Sequence, residues 1–340
     1  MKLLKKKKFW FLLLIILAVL VLADDKIKSN TLNDDYWEKI RAGDVAKVAT
    51  GWSTPKRLSI SNDGWEEGDY ISPDGKEFFF IYTTVDVFNL IYSGGSKPLV
   101  SGPVRDRDNS CTHPLKPQPH PCGQWPRADL FYSVKNGSQW SEPVPHPLTQ
   151  SGPVGGFTYA GANKAYFMHA FTGDVEDIGY AVRTNGVWGP KIKVAAVSVD
   201  GYSDSDPHVN ASDDEMIFWS DRPAHFSGKN LYRSVKVGNQ WQTPELLAEP
   251  INGNGDSMTP FFHDGYLYYG ASFGPETTFS IYRSQRLGAN AWAQPEMVVT
   301  SKFAVGEPSL TANGRFLYFE QIFIDGQGRY NPDLMYIERL

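Results

Sequence analysis

Cysteine is nearly absent: Cys111 and Cys122 are the two copies in 340 residues. The standard catalytic fingerprints are missing altogether. No P-loop, G-x-S-x-G, H-E-x-x-H or dinucleotide-binding glycine pattern occurs, which removes the usual nucleotide, serine-hydrolase and zinc-protease readings. Basic charge is in deficit, with 33 Lys and Arg against 38 Asp and Glu, a net charge of −5. Long apolar runs are equally scarce. The one clear run, Phe9 to Ala23, is shorter than the span of about 20 residues that crosses a bilayer.

That run follows a basic start (Lys2, Lys5 to Lys8) and ends at Val21-Leu22-Ala23 before Asp24-Asp25. Small residues at the first and third positions before a cut suit signal peptidase, so residues 1–23 read as a secretory signal peptide. An uncleaved signal anchor is the alternative. Removing five lysines with this segment takes the charge from −5 to −10. So acidic a protein is an unpromising partner for nucleic acid, which demands a basic patch. The expected location is secreted or periplasmic, with membrane attachment only through an uncleaved N-terminal segment. In an oxidising compartment Cys111 and Cys122 read as a disulfide closing a small loop. His113 and His120 lie between them and form a formal zinc pattern, the alternative.

Tryptophan is what the chain has in a pattern. Trp52-Ser53-Thr54-Pro55, Trp140-Ser141-Glu142-Pro143, Trp241-Gln242-Thr243-Pro244 and Trp292-Ala293-Gln294-Pro295 share a W-x-x-P form, with Trp188-Gly189-Pro190 a worn fifth copy. Beyond one long first interval the spacing is about 50 residues, the range of a propeller blade. Three further signals recur between the tryptophans. A small or acidic residue opens a short strand at Asp69, Gly156, Asp206, Thr259 and Glu307. A tight turn such as Asp74-Gly75, Asp264-Gly265 or Asn313-Gly314 leads into an aromatic strand, a strong hairpin signal. A D-L-x-Y strand follows at Asp129, Asp177, Asn230, Ser280 and Asp333.

One unit is therefore four strands: inner A, aromatic B, D-L-x-Y strand C and W-x-x-P strand D. Proline cannot donate to a ladder, so D belongs at the outer edge. The expected fold is all-β, a single five-bladed propeller of four-stranded antiparallel blades over residues 51–340. The N-terminal strand at Trp52 completes the last blade, which closes the ring and removes exposed edges. Residues 24–50 read as a polar leader with a short helix around Tyr36 to Ala46. Residues 84–127 read as an insertion in the first B–C loop, beside the mouth of the central funnel.

Ser72-Pro73-Asp74-Gly75-Lys76, Ser220-Asp221-Arg222 and the D-L-x-Y strand resemble the WD40-like PD40 repeats of TolB-type β-propellers, over roughly residues 52–340. The resemblance implies the fold and is unspecific for activity. Only the first blade carries the full S-P-D-G, and the sialidase Asp-box spacing is absent.

The A–B and C–D turns are tight. The B–C and D–A loops are long and varied and share the opposite face, where function is expected. Carboxylates and aromatics gather there, a combination that suits hydroxyl groups and apolar sugar faces. The ligand-contact candidates are Trp65, Glu66, Glu67, Tyr202, Asp204, Asp221, Arg222, His225 and Asp256. The first expectation is a non-catalytic, monomeric binding or assembly module for a glycan, peptide or envelope protein. The second is a glycoside hydrolase, with Asp69 or Asp206 as base or nucleophile and Glu307 as acid. The third is a TolB-like scaffold that contacts a partner through its channel. No cofactor is required. Asp204 and Asp206 could help hold Ca²⁺, but a full cage takes about six or more oxygens. The repeated acids at strand A also have a purely structural reading, as caps of neighbouring turns.

Overall fold

The computed structural model describes residues 36–83, 86–89, 129–171, 175–274 and 277–340. The signal segment, Cys111 and Cys122, and most of the 84–127 insertion lie outside the described residues. Among those described, no helix is long and apolar enough to cross a membrane.

The chain opens with helix α1 (Tyr36–Ala42), then β1 (Lys47–Val48) and β2 (Lys56–Arg57). Five sheets follow. The first is β3 (Trp65–Ile71), β4 (Glu77–Thr83), β5 (Asp129–Asn136), β6 (Gln139–Trp140) and β7 (Val144–Pro145). The second is β8 (Gly155–Tyr159), β9 (Lys164–His169), β10 (Asp177–Thr184), β11 (Val187–Trp188) and β12 (Ile192–Lys193). The third is β13 (Asp204–Val209), β14 (Glu215–Ser220), β15 (Asn230–Val237), β16 (Gln240–Trp241) and β17 (Glu245–Leu246). The fourth is β18 (Ser257–His263), β19 (Tyr266–Ala271), β20 (Ser280–Gln285) and β21 (Glu296–Thr300). The last is β22 (Ala304–Leu310), β23 (Phe316–Ile324) and β24 (Tyr330–Glu338). Every pairing within these sheets is antiparallel, and the whole is a five-bladed β-propeller.

The W-x-x-P motif explains the broken outer strand. In the first three blades that strand is two short pieces, as with β6 ending at Trp140 and β7 starting at Val144. Pro143 sits in the gap, where its missing N–H interrupts the ladder. Each motif tryptophan plugs the seam with the preceding blade. Trp241 packs beside Tyr166 and donates its indole N–H to the phenol oxygen at 3.2 Å. Trp292 sits with Ile217 and Trp219 of the third blade, and Trp140 joins Tyr318 and Leu334 of the fifth. Burying such rings stabilises each seam by about 25 cal/mol per Å² of apolar surface.

The ring closes as expected. Lys56 and Arg57 pair with Tyr336 and Met335, and Trp52 bridges Arg339. The leader does more than expected, because β1 adds a fifth strand to the fourth blade through Lys47–Thr300 and Val48–Val299. Helix α1 sits where the fifth blade meets the first, with its Trp37 packed with Phe323 and Trp65. Its Arg41 is 9% exposed in the side chain and forms an ion pair with Asp333, which has no exposure at all. The same guanidinium donates to Asp63 at 2.6 Å, so one side chain ties the leader to the last blade and to the loop entering the first. Asp333 opens the last D-L-x-Y motif within β24, so the repeat supplies the anchor, and Arg41 of the leader and Arg57 of β2 supply its cations.

Removing one partner of a buried ion pair costs about 3–5 kcal/mol where it leaves an uncompensated charge; Arg57 also reaches Asp333 at 3.2 Å, so the expected cost here is about 1–3 kcal/mol. Arg41→Met is therefore expected to lower the unfolding free energy by that order in chemical denaturation. Adding Asp333→Asn should recover much of the loss. An Arg41→Met protein as stable as wild type would show that α1 is not a clasp.

Candidate functional site

The five inner strands β3, β8, β13, β18 and β22 all break register at the same place. The bulges fall between Glu67 and Tyr70, Gly155 and Thr158, Ser205 and His208, Met258 and Phe261, and Gly306 and Ser309. The first bulged residue has positive φ in every blade: Gly68 at 72°, Gly156 at 51°, Asp206 at 49°, Thr259 at 50° and Glu307 at 55°. Glycine takes this conformation without strain, whereas for Asp, Thr and Glu it costs on the order of 1–3 kcal/mol each. These residues face each other around the axis. A Cβ on Gly156 would lie 2.6 Å from the Asp206 carboxylate, and one on Gly68 would lie 3.6 Å from the Gly156 nitrogen.

This register differs from the one read off the sequence. Aligned by bulge, Gly68 is the counterpart of Asp206 and Glu307, and Asp69 is the counterpart of Phe157, Pro207, Pro260 and Pro308. A single-residue offset changes where a strand side chain points, so Asp69 sits one step further along the axis. There it lines a central void together with Tyr70, Thr158, His208, Thr259 and Phe261. Asp69 is 6% exposed, and neither of its carboxylate oxygens meets a donor.

Six carboxyl groups converge on the axis: Glu67, Asp69, Glu176, Asp206, Glu307 and Glu320. Their environments are not alike. Asp206 accepts the Trp219 indole N–H at 2.5 Å, and the Lys229 ammonium nearby favours its charged form; burial still holds its pKa above the ordinary value. Glu307 has no such help. Burial raises it well above the ordinary carboxylate range, and the charges of Asp206, Glu320, Asp69 and Glu67 all push the same way. Burial and the neighbouring carboxylates do the same to Glu320 and Asp69. Burial first, then the charge of Asp206, pushes Glu67 and Glu176 up to about 7. Lys229 lies 4.4 Å over the Trp219 ring, which fixes its position.

The other candidate residues divide by what they hold. Glu66 is fully buried, and its carboxylate accepts from the Ser61 hydroxyl at 2.5 Å and the Asn62 N–H at 2.9 Å. Asp204, also fully buried, accepts the Val199 N–H at 2.8 Å and pairs with Arg222, which in turn donates to the Val197 carbonyl. These two acids bind their own D–A loops and are occupied. Asp221 caps the Ser203 N–H at 2.8 Å, and Asp256 the Lys229 N–H at 2.8 Å. The Asp256 contact sets the backbone that carries the axial lysine. Trp65 is fully buried beneath Phe88 at 4.9 Å. His225 is exposed and stacks on Phe226 at 4.0 Å, while Tyr202 is half-buried.

Glu176 and Lys229 escape repeat-based reading for a definite reason. Each immediately precedes its D-L-x-Y strand, at Asp177 and Asn230, and neither belongs to the repeat. Their equivalence to one another is the signal that could have found them. Among the described residues no group of three or more His, Cys, Asp or Glu side chains is arranged to hold a metal ion.

No protein-family model matches the chain, and no curated protein does. Among solved structures it is similar in chain path to a protein of unknown function from Dyadobacter fermentans, at 9% identity and TM-score 0.46, covering 86% of this chain and 100% of that one. It is similar to an endo-arabinase from Bacteroides thetaiotaomicron at 11% identity and TM-score 0.43, covering 82% and 93%. It is also similar to a family 117 glycoside hydrolase from Zobellia galactanivorans at 10% identity and TM-score 0.42, covering 87% and 90%. Likeness this distant concerns the backbone and carries nothing about chemistry.

The raised carboxyls fix the sign of a pH effect. A group whose folded pKa lies above its unfolded value binds more protons when folded, so its stabilisation is full below the unfolded pKa near 4.5 and is lost as pH rises through the folded one. With Glu67 and Glu176 at about 7 and Glu66 at about 8, the melting temperature should fall as pH rises from about 5 to about 8. Glu67→Gln and Glu176→Gln should flatten that slope. A melting temperature that climbs across this window would contradict the arrangement.

Proposed function

We propose that the axial funnel carries out acid–base hydrolysis of a glycosidic bond, with Glu307 as general acid and Asp206 as general base or nucleophile. The observation that carries this is the contrast between two neighbouring carboxyls. Glu307 sits among like charges in a dry setting, which hold its proton more tightly than an ordinary carboxyl does. Asp206 sits against the Trp219 indole N–H and Lys229, which favour its anion. Pairs of carboxyls pushed apart in this way are how one site supplies both an acid and a base. The two titrate as a coupled unit, so a rate profile reports the pair.

In the hydrolytic step Glu307 gives its proton to the oxygen of the leaving sugar as the glycosidic C–O bond breaks. The Asp206 carboxylate either takes a proton from the attacking water or bonds to the anomeric carbon, and in the latter case water then releases the sugar. The strained backbone at both residues supports the same reading, because positive-φ side chains held by a surrounding ring are pre-oriented. A pure binding module needs only a polar and aromatic rim. Two buried carboxyls in such opposed settings are an expense such a module has no use for. The PD40 and TolB resemblance bears on the scaffold, and residues 1–23 would export the enzyme to where polysaccharide is met.

The test is a screen of the purified protein on a broad panel of oligo- and polysaccharides, read as new reducing ends. Glu307→Gln and Asp206→Asn should each lower turnover by about 10²–10⁴-fold with the melting temperature kept. Activity should fall at alkaline pH, as Glu307 loses its proton. A folded protein inert across the panel would sink catalysis and return the weight to the binding module.

A further inference from the structure

We propose that the axial void beside the acid pair is a recognition pocket for a protonated primary amine, so that the sugar taken into the funnel is an amine-bearing one; this rests on the glycan reading above. The void is small, and Asp206 and Glu307 line it together with Asp69, so it can receive a small substituent beside the acid pair.

Its lining carries donors at Tyr70, Thr158, His208 and Thr259, yet none of them reaches the Asp69 carboxyl. Both Asp69 oxygens are buried without a partner. At the level of Asp69 three of the four counterpart residues are Pro207, Pro260 and Pro308, which have no N–H to offer. A buried carboxylate left without a donor is costly, and the donors of the lining are not set to reach this one. An ammonium group brings three N–H donors and a positive charge, and the two free Asp69 oxygens can take them.

Charge points the same way. Among the described residues Lys229 is the basic group acting on Glu67, Glu176 and Asp206, and the axial carboxyls outnumber it. A cationic guest eases ionisation of these raised carboxyls and gains their charge, whereas a uronate or sulfated sugar raises them further and gains no partner. A bare metal ion is the other acceptor-seeking guest, but the described acidic side chains are not set around a common point as a metal requires.

The experiment is calorimetric titration of the wild-type protein at about pH 6, where the amine is cationic, with three tetramers of equal length. These are glucosamine tetramer, N-acetylglucosamine tetramer and galacturonate tetramer. The glucosamine tetramer is expected to bind at least about tenfold more tightly than its acetylated counterpart. Asp69→Asn should abolish that preference while leaving the affinity for the acetylated tetramer. Equal affinities, tighter binding of the galacturonate, or displacement of the glucosamine tetramer by calcium chloride would each overturn the proposal. The wild-type comparison stands even if Asp69→Asn fails to fold. If no tetramer binds, the glycan reading fails, and methylammonium then tests the pocket itself. Binding to wild type and not to Asp69→Asn would keep an amine pocket and remove the sugar; no binding would remove both.

Discussion

Five inner strands can meet on one axis only where their backbones make room for each other, and here every one of them does so by the same kink. Gly68, Gly156, Asp206, Thr259 and Glu307 take positive φ at equivalent bulges, and adjacent kinks stand close enough that a Cβ on Gly156 would collide with Asp206. The bulge twists each strand away from its neighbour and aims two successive residues at the axis. The candidate site hangs from that geometry. It brings Asp206 and Glu307 within electrostatic reach of one another, sets Asp69 beside them in the lining of the same void, and seats prolines where backbone donors would otherwise be. The outer architecture exists to hold the kinks in place: tryptophans plug the seams, and the leader closes the ring through Arg41 and Asp333.

The fold was legible because its determinants repeat. W-x-x-P, the D-G and N-G turns and D-L-x-Y each have a local physical cause, whether a missing N–H, a left-handed turn or a buried strand opening. Local causes survive in sequence. The leader was less legible. Lys47 and Val48 extend the fourth blade, yet two residues are too few to show alternation. The candidate site was legible in part. Asp206 and Glu307 stand out by preceding proline in equivalent strands. Asp69 shares their composition without their register, since Gly68 occupies the bulge and nothing in a one-dimensional alignment separates the two. Glu66 and Asp204 looked free because they lie off the repeat, and they prove to be tied to Ser61, Asn62 and Val199 within their own loops. Glu176 and Lys229 reach the axis only because their strands converge there, a fact of closure that no single repeat contains.

Carboxyl groups this close would ordinarily be a liability. Like charges in a dry setting stay protonated or destabilise the fold, and the pKa directions at Glu307, Glu320 and Asp69 follow from that. Elsewhere the protein treats its acids in the opposite way. Asp213 is held below its ordinary range by Lys236 and Lys164, and Glu215 by Arg286 and Arg233, burial notwithstanding. Among the described residues, cations are supplied to the peripheral carboxylates and one lysine stands with six carboxyls at the axis, so the imbalance of acids over bases is concentrated in one place.

The identity of the residues at the kinks sharpens the point. Blades one and two show that glycine serves the bulge: Gly68 and Gly156 adopt positive φ with no steric cost. The same conformation in blades three and five is taken by an aspartate and a glutamate, which strains the backbone and buries a carboxyl at once. Turn capping does not account for this, because a cap is satisfied by hydrogen bonds to its own loop, as at Asp204 and Asp221. The Asp206 carboxylate instead reaches Trp219 in the adjoining strand, and Glu307 points among acids. Two costs accepted at the same two positions, where a cheaper residue demonstrably fits the backbone, are what the proposed acid and base roles account for and the demands of the fold do not.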